Sequence, residues 1–103
     1  MRDKRYVIVF RSRLRPGVEA DYAVRGAQIF ALAEQMPGYL GIKDFVAEDG
    51  ERVAIAEFDT AEHLRAWREQ PEHAKAQEEG RRRWYSEYSV QVCVLERESV
   101  FKA

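Results

Sequence analysis

The sequence predicts an α+β protein: one four-stranded antiparallel sheet with two helices on one face, in the order β-α-β-β-α-β. Three observations predict it. Four stretches rich in β-branched and aromatic residues fall at 6–14, 39–47, 52–58 and 88–96. Two longer stretches, 18–36 and 64–85, repeat apolar or ring-bearing residues at helical spacing. Between the second and third strands stands Asp49-Gly50, a strong short-range hairpin signal, so those two strands should pair antiparallel. This order is the split βαβ, or ferredoxin-like, arrangement.

Each element has its own justification. Residues 6–14, YVIVFRSRL, begin apolar on both faces and then alternate, with Arg11 and Arg13 on one side. Arg15-Pro16-Gly17 is a turn. Tyr22, Gly26, Ile29, Ala33 and Met36 then follow the spacing of one helix face, and Met36-Pro37-Gly38 stops that helix. Residues 39–47 and 52–58 form the hairpin. Asp59-Thr60-Ala61-Glu62 has the spacing of a capping box and opens the second helical stretch. That stretch should break at Gln70-Pro71, because proline has no N–H to donate and pushes the preceding residue to extended geometry. The tail, 97–103, keeps Val100-Phe101 and reads as a short extra strand or arm.

At 103 residues the chain is expected to form one domain, 1–103, around a single core. Seventeen basic residues stand against eighteen acidic ones, so no overall field favours a polyanion and nucleic acid is not an expected partner. No apolar run is long enough to span a membrane, and VIVF is too short for the apolar part of a secretion signal, so the expected location is cytoplasmic. The single Cys93 lies in an alternating apolar run and reads as a buried, inert thiol.

The sheet poses a packing problem. Two helices cover one face, yet VIVF together with Ile42, Val53, Ile55, Val90, Val92 and Val94 offers more apolar surface than one face uses. The same face of a second copy would cover it, which predicts an isologous homodimer with the tail around Phe101 reaching the partner.

The chemistry concentrates in the second helical stretch. His73, Gln77, Gly80 or Arg81, and Trp84 share one stripe, which is polar yet carries rings. It is either a pocket wall or amphipathic filler at the rim of a core. Trp67 should pack between helix and sheet, while Trp84, at a helix end, should stand between buried and exposed. Ala54 and Ala56 share a strand face with Phe58 and either leave room for a planar ligand or let a helix approach closely. Arg81-Arg82-Arg83 reads first as a solvated helix end and second as an anion site. Glycines at turns, one Cys and two His supply no phosphate loop, no zinc constellation and no nucleophile elbow, so neither a metal nor a nucleotide cofactor is expected.

The run Trp67-Arg68, Pro71-Glu72-His73, Ala76-Gln77 and Gly80-Arg81 resembles the antibiotic biosynthesis monooxygenase family of dimeric α/β barrels. The final strand and arm, with Tyr88 and Arg97, and the turns at Arg15-Pro16-Gly17 and Met36-Pro37-Gly38 extend the resemblance over nearly the whole chain. Many relatives carry Trp where this chain has Phe58. The haem-degrading branch is least similar, because Phe10 and Gln77 stand at the positions of its characteristic Asn and His. The resemblance implies a cofactor-independent monooxygenase that uses dioxygen on a small phenol or quinol. In that reading His73 accepts the proton, Gln77 holds a second oxygen, Trp67 and Phe58 sandwich the ring, Trp84 adds to the pocket and Arg81 stabilises developing charge. The alternative is a non-catalytic dimer that binds a small aromatic molecule or plays a structural role, with His73 bonded to backbone at the kink.

Overall fold

The computed structural model describes residues 4–103. Strand β1 is Tyr6–Leu14, helix α1 Glu19–Glu34, β2 Tyr39–Val46, β3 Arg52–Phe58, α2 Ala61–Glu69, α3 Pro71–Glu79 and β4 Tyr85–Val94. A π-helical turn, Gly80–Trp84, joins α3 directly to β4. The sheet runs β2-β3-β1-β4, antiparallel throughout. This is the ferredoxin-like α+β arrangement the strand pattern predicts, with the second helix divided at its proline.

Helix α2 opens one residue later than the capping spacing suggests. Thr60, not Asp59, is the N-cap, and its hydroxyl accepts the His63 amide at 3.1 Å. Asp59 instead contacts the His63 imidazole and returns its own amide to the Gly38 carbonyl. Gly38 has φ of +79°, and a Cβ there would collide with the Asp59 and His63 side chains, so the turn before β2 admits glycine on both counts.

Strand β4 begins at Tyr85, earlier than the expected 88, because the π turn delivers the chain straight into pairing with β1. Arg15 fastens this corner: its amide donates to the Trp84 carbonyl at 2.8 Å and its guanidinium to the carbonyls of Tyr85 and Arg81. Gly80 lies under the Tyr85 ring, so close that a Cβ would overlap it.

Cross-strand register assigns the faces, since directly paired residues point the same way. Ile8 stands between Ala56 and Val92, Phe10 between Ala54 and Val90, and Ser12 between Arg52 and Tyr88, all on the helix side. The core is built on that side from Ile8, Ala33, Ala56, Phe58, Leu64 and Trp67. Ile42, Val90, Val92 and Val94 therefore belong to the helix side and not to the uncovered face. The uncovered face carries Val7, Val9, Phe45, Val53 and Ile55, with Phe45 47% exposed. Cys93 is exposed on this face and not buried as expected, because β4 is an edge strand with nothing packed over its outer side. Residues 95–103 form no regular structure. They follow β1 through Leu95 N–H to the Arg5 carbonyl and an Arg5–Glu98 ion pair, and they leave Phe101 89% exposed.

Candidate functional site

A cavity of about 380 Å³ lies between the helix-side face of the sheet and the helices. Its floor exists because β3 places Ala54 and Ala56 where larger residues would fill the space. Its walls come from α1, α3, the π turn and β4. Of the residues singled out from sequence, His73, Trp67, Gln77 and Trp84 line it together.

Pro71 is the origin of the His73 geometry. In an unbroken helix the amide of residue 71 would donate to the carbonyl of Trp67, four positions back. Proline has no such amide, so the Trp67 oxygen receives only the Gln70 amide, at 3.3 Å, and keeps a lone pair to spare. His73 adds a second donor: its Nδ1 lies 3.0 Å from the Trp67 oxygen. A carbonyl only accepts, so Nδ1 carries the proton and Nε2 keeps its lone pair. The helix restart holds the same residue from the other side, with the Gln70 side-chain oxygen accepting the His73 amide at 2.9 Å. Both roles weighed for this histidine are thus compatible: one nitrogen fastens the kink and the other remains a base. Burial lowers the His73 pKa from its ordinary value of 6.5, only partly opposed by the bond to the Trp67 carbonyl, so the neutral ring is favoured near pH 7.

The imidazole lies flat on the Trp67 indole, with centroids 3.8 Å apart and planes 11° from parallel. Phe58 lies on the opposite side of Trp67, at 6.4 Å and 24°. Trp67 is therefore the middle of a three-ring stack, and no ligand ring fits between it and Phe58. Phe58 is fully buried and lies outside the cavity lining, where it sets the depth of Trp67. The expected sandwich is replaced by one the protein makes with its own rings.

Arg81 also stands outside the lining. It is exposed, and its guanidinium donates to the Tyr88 hydroxyl at 3.1 Å. Trp84 is only 5% exposed, deeper than its place at a helix end suggests, because the π turn rotates it inward. Its indole Nε1 is buried without a hydrogen-bond partner among the described residues.

The sequence reading missed one end of the cavity. Tyr22, Tyr85, Phe10 and Tyr88 form a ring cluster there, with Tyr85 and Tyr22 hydroxyls 3.3 Å apart. Burial pushes the Tyr85 phenol well above its ordinary range, so it stays protonated. Arg52 lies over the Tyr22 ring at 5.4 Å. The alternation that joins Ala54, Ala56 and Phe58, carried two residues back, marks Arg52 as facing the same way. Tyr22 is on the stripe read from its spacing as one face of α1.

Among the described residues no cluster of three or more His, Cys, Asp and Glu is placed to hold a metal ion, and no helix is long and apolar enough to cross a membrane.

Residues 5–79 match the sequence profile of the family described as Antibiotic biosynthesis monooxygenase. The chain is 29% identical, over 97 residues, to an uncharacterized protein of Bacillus subtilis (strain 168), YqjZ, an alignment that covers 94% of this chain and 84% of the relative. Among solved structures it is similar to Rv0793 from Mycobacterium tuberculosis, with a TM-score of 0.83 at 14% identity, covering 93% of this chain and 99% of the other. It is also similar to SnoaB, a cofactor-independent oxygenase from Streptomyces nogalater, with a TM-score of 0.80 at 18% identity, covering 96% and 99%. At these identities the structural matches establish the fold.

Proposed function

The chain belongs to the antibiotic biosynthesis monooxygenase family, and from that premise we propose that it is a cofactor-independent monooxygenase acting on a small phenol or quinol with dioxygen. The observation that carries the reading is the His73 ring on the lining of an aromatic cavity, with Nδ1 committed to a backbone carbonyl and Nε2 without a hydrogen-bond partner among the described residues. A neutral phenol donates electrons poorly and its anion donates them well. Proton transfer to Nε2 produces the anion, which then reduces dioxygen. A carbon–oxygen bond forms at a ring C–H position, the second oxygen atom leaves as water and the ring becomes a quinone. In this reading Gln77, one turn beyond His73 and on the same cavity lining, holds a second substrate oxygen, while the apolar walls limit side reactions with water. Stirred with a panel of hydroquinones under air, with metal and flavin removed, the protein is expected to consume dioxygen faster than buffer alone. Uptake at the buffer rate for the whole panel would sink the oxygenase reading. It would favour the second reading, a binding protein in which His73 only braces the helix break at Pro71.

The working unit is proposed to be a homodimer formed through the uncovered sheet face. Val7, Val9, Phe45, Val53 and Ile55 give that face an apolar patch, set among the charged Arg11, Lys43 and Glu57, and Phe101 is exposed as well. A stable interface of this kind buries on the order of 2,000 Å² in total. Sedimentation equilibrium at micromolar concentration is expected to return twice the chain mass, and a monomer mass would refute the assembly.

A further inference from the structure

We propose that the end of the cavity around Arg52, Trp84 and Tyr22 is a carboxylate subsite, so that the ligand is an elongated aromatic acid. The proposal takes from the oxygenase reading only that this cavity is the ligand site.

The first observation is the Trp84 indole N–H. It belongs to a residue of the cavity wall, is itself buried and meets no acceptor among the described residues, although a buried donor carries a desolvation penalty until something accepts from it. The second is Arg52. It lines the same cavity and makes no ion pair or side-chain hydrogen bond among the described residues. Arg25, across the cavity, is tied to Glu79 at 3.1 Å, and Arg68 is exposed. Tyr22 joins the two groups: its ring lies 5.4 Å from the Arg52 guanidinium and 6.5 Å from the Trp84 ring. Tyr85 donates its proton to the Tyr22 oxygen, which leaves the Tyr22 proton for another acceptor. Ser12, 3% exposed, is the register partner of Arg52 and adds another hydroxyl.

These groups are predominantly donors, and one of them carries a full positive charge. Their complement is an acceptor with negative charge. A carboxylate fits better than a phosphate, because its single charge matches the one free guanidinium and its planar pair of oxygens suits the guanidinium fork. Both oxygens then face the Arg52 guanidinium, and a remaining lone pair is left for the Trp84 N–H. Asp44 is the one carboxylate on this cavity wall, and it lies beyond ion-pair distance of Arg52.

Position fixes the shape of the ligand. Arg52 and Phe58 are the two ends of β3. The Trp67–His73 stack stands toward the Phe58 end. A hydroxyl at His73 and a carboxylate at Arg52 therefore belong to opposite ends of one ring system.

The test uses 6-hydroxy-2-naphthoate, its carboxamide and 2-naphthol, titrated calorimetrically without dioxygen at neutral pH. The acid is expected to bind about 10-fold or more tightly than the amide, as a charge-assisted contact implies. Arg52→Gln should abolish the preference, Trp84→Phe should narrow it, and Asp44→Asn should widen it. Equal binding of acid and amide, binding of none of the three, or a preference that survives Arg52→Gln would overturn the subsite. The acid–amide comparison on the unaltered protein decides the matter even if Arg52→Gln fails to fold. Excluding dioxygen keeps the two proposals separate: an acid-selective protein that never consumes oxygen retains the subsite and loses the oxygenase.

Discussion

Replacing His73 by asparagine is expected to leave the protein folded and to lower turnover by about 10²–10⁴-fold, the usual contribution of a positioned base. The asparagine amide reaches roughly the position of Nδ1 and can still donate to the Trp67 carbonyl beside the Gln70 amide. It has nothing at the position of Nε2. Thermal unfolding and steady-state oxygen uptake on the same sample separate the two roles. Full turnover in a folded His73→Asn protein would remove His73 as the base. The pH profile gives a second reading. Burial lowers the His73 pKa below 6.5, so kcat/KM should hold its plateau through pH 6.5 and fall only as pH drops through that lowered value. Stability has the matching sign. Below pH 6.5 the unfolded chain takes up a proton that the folded ring resists, so stability declines until the folded ring also protonates.

The largest effect on folding is expected at Trp67. This residue is 3% exposed and lies between Phe58 and His73. Truncating a buried tryptophan to alanine costs about 3–5 kcal/mol, a large share of the stability of a small protein. Urea denaturation should show Trp67→Ala with a much lower midpoint, and Trp67→Phe, which retains a ring in the stack, should fall between the two. An unchanged midpoint for Trp67→Ala would mean that the stack contributes nothing to stability.

Strand β1 and strand β3 were legible to the residue, β1 from its β-branched and aromatic run ended by Arg15-Pro16-Gly17 and β3 from its place after the Asp-Gly turn. The break before Pro71 was legible for a covalent reason, since a missing N–H does not depend on context. The start of β4 was not, because the π turn that feeds it is held by Arg15, which is remote in sequence. The cavity divided in the same way. His73, Gln77 and Trp84 share one helical stripe and were visible as a set. Phe58 was misplaced because a strand period assigns a face but not whether another ring is already stacked there. Arg52, Tyr22 and Trp84 come from three different elements, and only the folded register brings them together. Cys93 shows the limit of apolar alternation, which marks two faces of a strand without saying which of them is covered.

Strand β4 has a consequence for how the chain avoids polymerising. It is an outer strand of the sheet, so half of its backbone N–H and C=O groups face away from β1. Residues 89–95, SVQVCVL, are uncharged and contain neither proline nor glycine, and Val90, Val92 and Val94 are each more than 40% exposed. That composition suits stacking of the same segment from many chains into cross-β ribbons. Glu87 stands just before the run and Glu96, Arg97 and Glu98 follow it, so charge brackets the adhesive segment at both ends. Arg5 holds Glu98 beside the inner strand β1, so the chain leaves the line of β4 as soon as the adhesive run ends.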